Sequence, residues 1–265
     1  MEKALLTLDS LSVGYRDGKR NRAVVEHINA ALYAGELVAL VGRNGAGKST
    51  LLRTMAAYQQ PLSGTVGYAS VTTGNNVSAQ ELSKVVSVVL TGGSIANLTV
   101  EELVSLGRLP HTGFFGQLKE RDKVAVAKAM AEMRVTEFAG RKIASLSDGE
   151  KQRCMIAKAL AQDTPLLLMD EPTAFLDFHA KLHLYSTMRD IAHKQGKGVV
   201  ISTHDVELAM RLANKVWLVD NGRLHCGTVE ELSGNGALHS FIDAEEYYYN
   251  AIENRIEFKR EKTNT

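Results

Sequence analysis

Apolar residues recur along this chain with two periods, and the order in which the periods alternate predicts an α/β fold. Short apolar runs bounded by turn signals predict strands at 5–8, 24–33, 37–41, 65–68, 85–90, 165–169, 198–202 and 215–219. Asp17-Gly18-Lys19 is the turn between the first two. Between them, Leu11-Ser12-Val13-Gly14-Tyr15 sets an aromatic just ahead of that polar turn. Helical spacing fills the gaps, with helices at 51–57, 119–133, 150–162, 179–194 and 206–213. A further helix starts at Thr99-Val100-Glu101-Glu102, where the acid three residues after the threonine spells a capping box. Val85-Val-Ser-Val-Val-Leu90 is apolar at nearly every position, as a strand covered on both faces must be. Strands alternating with helices predict a mixed, mostly parallel sheet. The N-terminal strand–turn–strand predicts an antiparallel β part in front of it. Between 91 and about 145 the alternation gives way to helical pattern, which we read as an inserted α-helical subdomain. The main domain is then 1–232 and 233–265 is a tail. Its Tyr247-Tyr248-Tyr249 suits packing on the domain or a dimer contact, and Lys259-Arg260-Glu261-Lys262 reads as a solvated end.

Composition narrows the class. The 265 residues are 45% hydrophobic and 23% charged, with a formal net charge of +1. A chain with no basic excess lacks the means to neutralise many phosphates, so nucleic acid is not expected as the main partner. The two cysteines, Cys154 and Cys226, form no C-x-x-C pair, which argues against a disulfide framework or a zinc site. No apolar run approaches the roughly 20 residues of a membrane-spanning helix, and Met1-Glu2-Lys3-Ala4 opens no signal-peptide core. A soluble protein that docks on membrane proteins is the expectation.

The strongest chemical signal is Gly42-Arg43-Asn44-Gly45-Ala46-Gly47-Lys48-Ser49-Thr50, placed between a predicted strand and a predicted helix. Strand, G-x-x-x-x-G-K-S, helix is the phosphate-cradling P-loop of a nucleoside triphosphatase. Its glycines let backbone N–H groups turn inward as an anion nest, and the helix start adds the positive end of its dipole. Lys48 supplies a point charge for the outer phosphates, and the Ser49 hydroxyl suits Mg²⁺. A second signal is Leu166-Leu167-Leu168-Met169-Asp170-Glu171, a buried strand delivering two acids at its C-terminal edge, where ligands gather in open α/β sheets. There Asp170 is a candidate for helping to hold Mg²⁺ and Glu171 for polarising an attacking water. The third is Ser145-Leu146-Ser147-Asp148-Gly149-Glu150-Lys151-Gln152-Arg153, a serine and a glycine ahead of a helix. Alone it spells an ordinary N-cap as readily as a second phosphate site.

Taken together, the P-loop, Leu146–Glu150, Asp170-Glu171, Phe175-Leu176-Asp177 and His204 resemble the ATPase subunit of an ABC transporter, and the likeness runs from about 5 to 228. The resemblance implies several roles. Tyr15 stacks on adenine; Ser147 and Gly149 close over the phosphates of the opposite subunit; Leu176-Asp177 meet that subunit; and His204 contacts the γ-phosphate and organises the attacking water. It also implies ATP with Mg²⁺, a homodimer, two membrane-spanning permease subunits above it, an external substrate-binding protein, and a peripheral place on the cytoplasmic face of the membrane.

Two departures stand out. The family's signature is usually L-S-G-G-Q, but here it reads Leu146-Ser147-Asp148-Gly149-Glu150, placing two acids where a triphosphate would sit unless their side chains point away. Most relatives also carry a glutamine after the strand at 85–90, where this chain has Thr91-Gly92-Gly93.

Leu103-Val-Ser-Leu-Gly-Arg-Leu-Pro-His-Thr-Gly-Phe-Phe-Gly116, Ala159-Leu-Ala-Gln-Asp-Thr-Pro165 and the acidic signature resemble importer ATPases for ferric siderophores, haem and cobalamin. A plainer reading of Gly107 and Pro110 is that they end a helix. His111 is not expected to ligate iron, because a cytoplasmic ATPase never meets the chelate. An exporter ATPase, or a soluble ABC ATPase acting on ribosomes or DNA, is the alternative. The latter normally has two cassettes or long coiled coils, and this chain shows one cassette without sustained heptads.

Overall fold

A computed structural model describes residues 4–17, 20–69, 78–90, 97–112 and 117–259. Strands β1 (Leu6–Asp17), β2 (Arg20–Leu32) and β4 (Ser63–Tyr68) form an antiparallel sheet in the order β2-β1-β4. Strands β3 (Leu37–Gly42), β5 (Val86–Val89), β6 (Leu166–Met169), β7 (Gly198–Thr203), β8 (Lys215–Asp220) and β9 (Arg223–Gly227) form a second sheet in the order β5-β6-β7-β3-β8-β9. Every pairing in it is parallel except β8 with β9.

β3, β6 and β7 are buried at every position, and the two-residue strand period explains why they are apolar throughout. Leu37, Leu167, Met169, Val199 and Ile201 face one core, while Val38, Leu40, Leu166, Leu168 and Val200 face another. The first core also holds helices α3 (Val100–Ser105), α4 (Glu120–Glu132), α5 (Asp148–Ala161) and α6 (Phe178–Gln195). The second is closed by the antiparallel sheet and by α1 (Lys48–Met55). Helix α7 (Val206–Leu212) joins β7 to β8, and a short α2 (Ala79–Leu82) precedes β5.

Three sequence expectations need correction. The strand expected at 5–8 and the separate aromatic segment at 11–15 are one strand, β1, paired with β2 from Leu6↔Leu32 to Asp17↔Arg20. Register shifts between Leu8 and Gly14, with Ser10 and His27 at positive φ, change the phase of the alternation, so Leu6, Leu8, Leu11 and Val13 all reach the core. A period-2 reading broken by a bulge looks like two segments. The antiparallel edge strand β9 is an addition; its signal was the Asn221-Gly222 pair, a hairpin turn between β8 and β9. The stretch read as a tail over 233–265 is folded as well. After α8 (Val229–Gly234) it forms α9 (Ala237–Ile242) and a hairpin of β10 (Tyr247–Asn250) and β11 (Arg255–Phe258). Tyr249 is 2% exposed in a third core with Leu238, Phe241, Ile242, Ala39, Val41 and Met210.

In the helical region the Thr99 capping box is present, and its helix continues as a 3₁₀ turn over 106–111 that contains Pro110. Arg108 is buried there against Asp122, with its Nε and Nη2 each 3.0 Å from the same carboxylate oxygen and its Nη1 2.7 Å from the Ala161 carbonyl. His111 meets the Gln162 carbonyl at 2.7 Å through Nε2. The Gly-Arg-x-Pro-His segment thus ties α3 and α4 to the end of α5. The expected Thr91-Gly92-Gly93 departure, Phe114-Phe115 and Arg260–Lys262 lie outside the described residues.

Candidate active site

Local backbone chemistry builds the P-loop. β3 ends at Gly42, and α1 begins at Lys48 with Gly47 as its N-cap at φ 109°. That conformation favours glycine. A Cβ at Gly47 would also lie 2.6 Å from Val24 Cγ1 of β2, so both the backbone and the packing exclude a side chain there. Arg43, Asn44, Gly45 and Ala46 make the intervening turn, closed by the Ala46 N–H on the Arg43 carbonyl at 3.1 Å. Ser49 and Thr50 lie in the first turn of α1. Lys48 is 5% exposed, and its ammonium donates to the carbonyls of Gly42 (2.7 Å) and Arg43 (3.2 Å). Burial lowers its pKa, a shift opposed first by Glu171 and then by Asp170. Tyr15, at the end of β1, is half-exposed beside the loop, with its hydroxyl 3.0 Å from Thr50 Oγ1.

The acids arrive on the parallel sheet one strand removed. β6 and β3 flank β7, so their C-terminal ends share one edge. Glu171 follows β6 at φ 45°, a left-handed conformation that costs a non-glycine residue about 1–3 kcal/mol. Its carboxylate lies between two cations or potential cations: Oε1 is 4.0 Å from Lys48 Nζ, and Oε2 is 3.5 Å from Nδ1 of His204, just past β7. The sequence reading did not single out Ser202. It is fully buried on β7; its hydroxyl donates to Asp170 Oδ1 at 2.7 Å and accepts the Glu171 N–H at 2.8 Å. One hydroxyl therefore fixes both acids. A polar pair, Ser202-Thr203, ending an apolar strand just before His204 was the available signal.

Among the described residues no three His, Cys, Asp or Glu side chains gather as a metal cluster. The Ser49 hydroxyl and the buried Asp170 carboxylate nonetheless suit Mg²⁺. That ion takes hard oxygen donors, often one or two from protein and the rest from water and phosphates.

The acidic signature segment lies elsewhere on the chain. Ser147 is the N-cap of α5, and Gly149 is pressed against the segment before α6, since a Cβ there would come within 3.0 Å of the Phe175 carbonyl. Asp177 caps α6 by accepting the Ala180 N–H at 2.8 Å. These residues line an open groove of about 760 Å³ together with Arg134, Arg153 and His179. The two signature acids behave differently. Asp148 pairs with Lys151 at 3.1 Å. Glu150 folds back instead: its carboxylate accepts both the N–H (2.7 Å) and the hydroxyl (2.9 Å) of Ser147. Those bonds hold its carboxyl below the usual range, and the segment is a complete capping box.

Residues 25–174 match the family model described as ABC transporter. The chain belongs to the ABC transporter family. It is 36% identical to an uncharacterised ABC transporter ATP-binding protein of Methanocaldococcus jannaschii, over 96% of this chain and 87% of that protein. An iron(3+)-hydroxamate import ATP-binding protein of Bacillus subtilis is 35% identical over 82% and 79%, and a hemin import ATP-binding protein of Streptomyces coelicolor 39% identical over 87% and 81%. Among solved structures, a dimeric ABC transporter cassette aligns with a TM-score of 0.75 at 25% identity, over 84% of this chain and 98% of that one. A post-hydrolysis dimer bound to ADP and phosphate aligns at 0.73. The protein is accordingly an ABC ATPase, with ATP as its nucleotide and a P-loop NTPase core. Among the described residues, no helix is long and apolar enough to cross a membrane.

Proposed function

We propose that this ABC ATPase hydrolyses MgATP as a homodimer and powers the uptake of a metal chelate, foremost a ferric siderophore, with haem and cobalamin as the nearest alternatives. The observation that carries the catalytic part is the placement of the Glu171 carboxylate between Lys48 and His204, next to the P-loop. In this reading Gly42, Arg43, Asn44, Gly45, Ala46 and Gly47 wrap the phosphates with backbone N–H groups, and Lys48 neutralises the outer ones. A buried ammonium gains more from an arriving anion than a solvated one would, because less water screens it. Tyr15 supports the base, and Ser49, Thr50 and Asp170 serve the phosphate–metal side. Mg²⁺, when bound, supplies Lewis-acid neutralisation of phosphate charge.

Glu171 accepts the proton of the attacking water, and His204 orients that water and the γ-phosphate. Ser147, Gly149 and Asp177 act across the dimer, closing the partner's nucleotide. Two membrane-spanning permease subunits and an external substrate-binding protein complete the transporter, with this subunit peripheral on the cytoplasmic face.

Support for the cargo comes from the relatives named for hydroxamate and hemin import and from the Leu103–Gly116 resemblance. The test is reconstitution with the permease and binding protein encoded beside it. ATP-dependent accumulation is compared for a ferric hydroxamate, haem and cobalamin, with ferric hydroxamate expected to lead. Uptake of none of the three, despite ATP turnover, would remove the metal-chelate assignment.

A further inference from the structure

The C-terminal segment makes two contacts that bear on the nucleotide site, one with the P-loop and one with the helix that follows His204. The Arg43 guanidinium lies over the Phe241 ring of α9, 5.9 Å from its centroid, within the range of a cation–π contact. The Arg43 carbonyl holds the Lys48 ammonium, and the Gly42 carbonyl holds it as well. Phe241 is 9% exposed and rooted in the third core, where Leu238, Ile242 and Tyr249 pack on Ala39 and Val41 of β3, the strand that delivers the loop. The second contact is with α7. The Ile256 N–H of β11 donates to Glu207 Oε1 at 3.0 Å, in the first turn of the helix that Asp205 caps immediately after His204. The hairpin is tied to α9 in turn by the Tyr249 N–H on Asp243 Oδ1 at 2.8 Å.

We propose that residues 237–259 brace the nucleotide site and that Phe241 is a positioning residue for it. Its ring fixes the Arg43 side chain, and with it the carbonyl that orients Lys48 toward the phosphates. Arg43 is solvent-exposed at its other side, so without the ring its side chain and the turn at 43–46 sample more conformations, and nucleotide binding must order them. The proposal rests on the P-loop being the ATP site. It does not depend on the roles given above to Glu171, His204 or Ser147.

The test uses the full chain with Mg²⁺ and ADP, which engages the P-loop without turnover or a γ-phosphate. Phe241→Leu keeps an apolar side chain of similar volume in the core but removes the aromatic face. ADP affinity is measured by calorimetric titration for wild type, Phe241→Leu, Arg43→Ala and the double variant, with thermal midpoints alongside. An exposed cation–π contact predicts that Phe241→Leu weakens ADP binding about two- to fivefold. In the Arg43→Ala background the same substitution should have no further effect, a non-additivity that a purely structural role in the core would not produce. Phe241→Tyr, which keeps the ring, should bind ADP like wild type. Wild-type affinity in Phe241→Leu, or an equal loss with and without Arg43, overturns the proposal. Failure of the wild-type protein to bind ADP would instead overturn the nucleotide-site reading beneath it.

Discussion

Ser202→Ala is the sharpest test of how the two acids are held. The substitution removes one oxygen and leaves the fold's apolar contacts in place. That oxygen donates to Asp170 Oδ1 at 2.7 Å and accepts the Glu171 N–H at 2.8 Å, at a site with no solvent access. Losing a hydrogen bond to a buried carboxylate and stranding a neighbouring N–H together cost about 2–4 kcal/mol. For a chain of this size that is a fall of about 5–15 °C in the thermal midpoint. The consequence for turnover follows from the Glu171 backbone, which sits at φ 45°. The bond to Ser202 is one of the forces holding that strained conformation, so its loss lets the carboxylate drift from Lys48 and His204. A positioning loss of about 1–2 kcal/mol lowers kcat about 5- to 30-fold. KM for MgATP should rise less than kcat falls, because the P-loop is untouched and only Asp170 on the metal side loses a hydrogen bond. Differential scanning fluorimetry and steady-state phosphate release measure the two effects. A midpoint within about 2 °C of wild type together with kcat within about twofold would refute the reasoning, since either bond alone exceeds those limits.

Glu171→Gln should abolish steady-state hydrolysis while ATP still binds and holds a dimer, read by phosphate release and size-exclusion chromatography; normal turnover would remove Glu171 as the acceptor of the water's proton. Gly47→Ala combines a φ of 109° with a Cβ 2.6 Å from Val24 Cγ1; ATP binding should fall at least about tenfold, with strain of about 1–3 kcal/mol visible in thermal unfolding. Arg108→Ala strands the buried Asp122 carboxylate and should cost about 3–5 kcal/mol, partly recovered by an apolar pair in place of both residues. Asp122 also carries a pH dependence. Its carboxyl is held below the usual range first by the Lys119 N–H and then by Arg108. With the folded pKa below the unfolded one, this stabilisation is complete at neutral pH and is lost as pH falls through the folded value. The midpoint gap between wild type and Asp122→Asn should therefore narrow steadily below about pH 4, and a gap that stays constant down to pH 2 would contradict it.

Much of this protein was legible in its sequence because the signals were local. The P-loop spells its own conformation, since glycines, a lysine and a helix start fall within nine residues of one chain segment. Buried strands such as β6 announce themselves by being apolar on both faces, and capping boxes at Thr99 and Ser147 are four-residue statements. The order of those signals sufficed for the family. What required tertiary structure was every relation between segments distant in the chain. The bulge in β1 realigned an alternation that read as two pieces. Ser202 looks like any strand serine until β7 is laid beside β6, when one hydroxyl reaches both Asp170 and Glu171. Arg108 and Asp122 show no sign of pairing in the sequence until α4 lays Asp122 against the turn that holds Arg108. Glu150 read as an acid set where a triphosphate would sit, and only the capping geometry of α5 shows its carboxylate folded back onto Ser147. Phe241 meets Arg43 across nearly two hundred residues because α9 packs on the strand that carries the P-loop. A sequence encodes local conformation through backbone and side-chain preferences over a few residues. Which distant groups share a hydrogen bond or a low-dielectric pocket is decided only when the cores close.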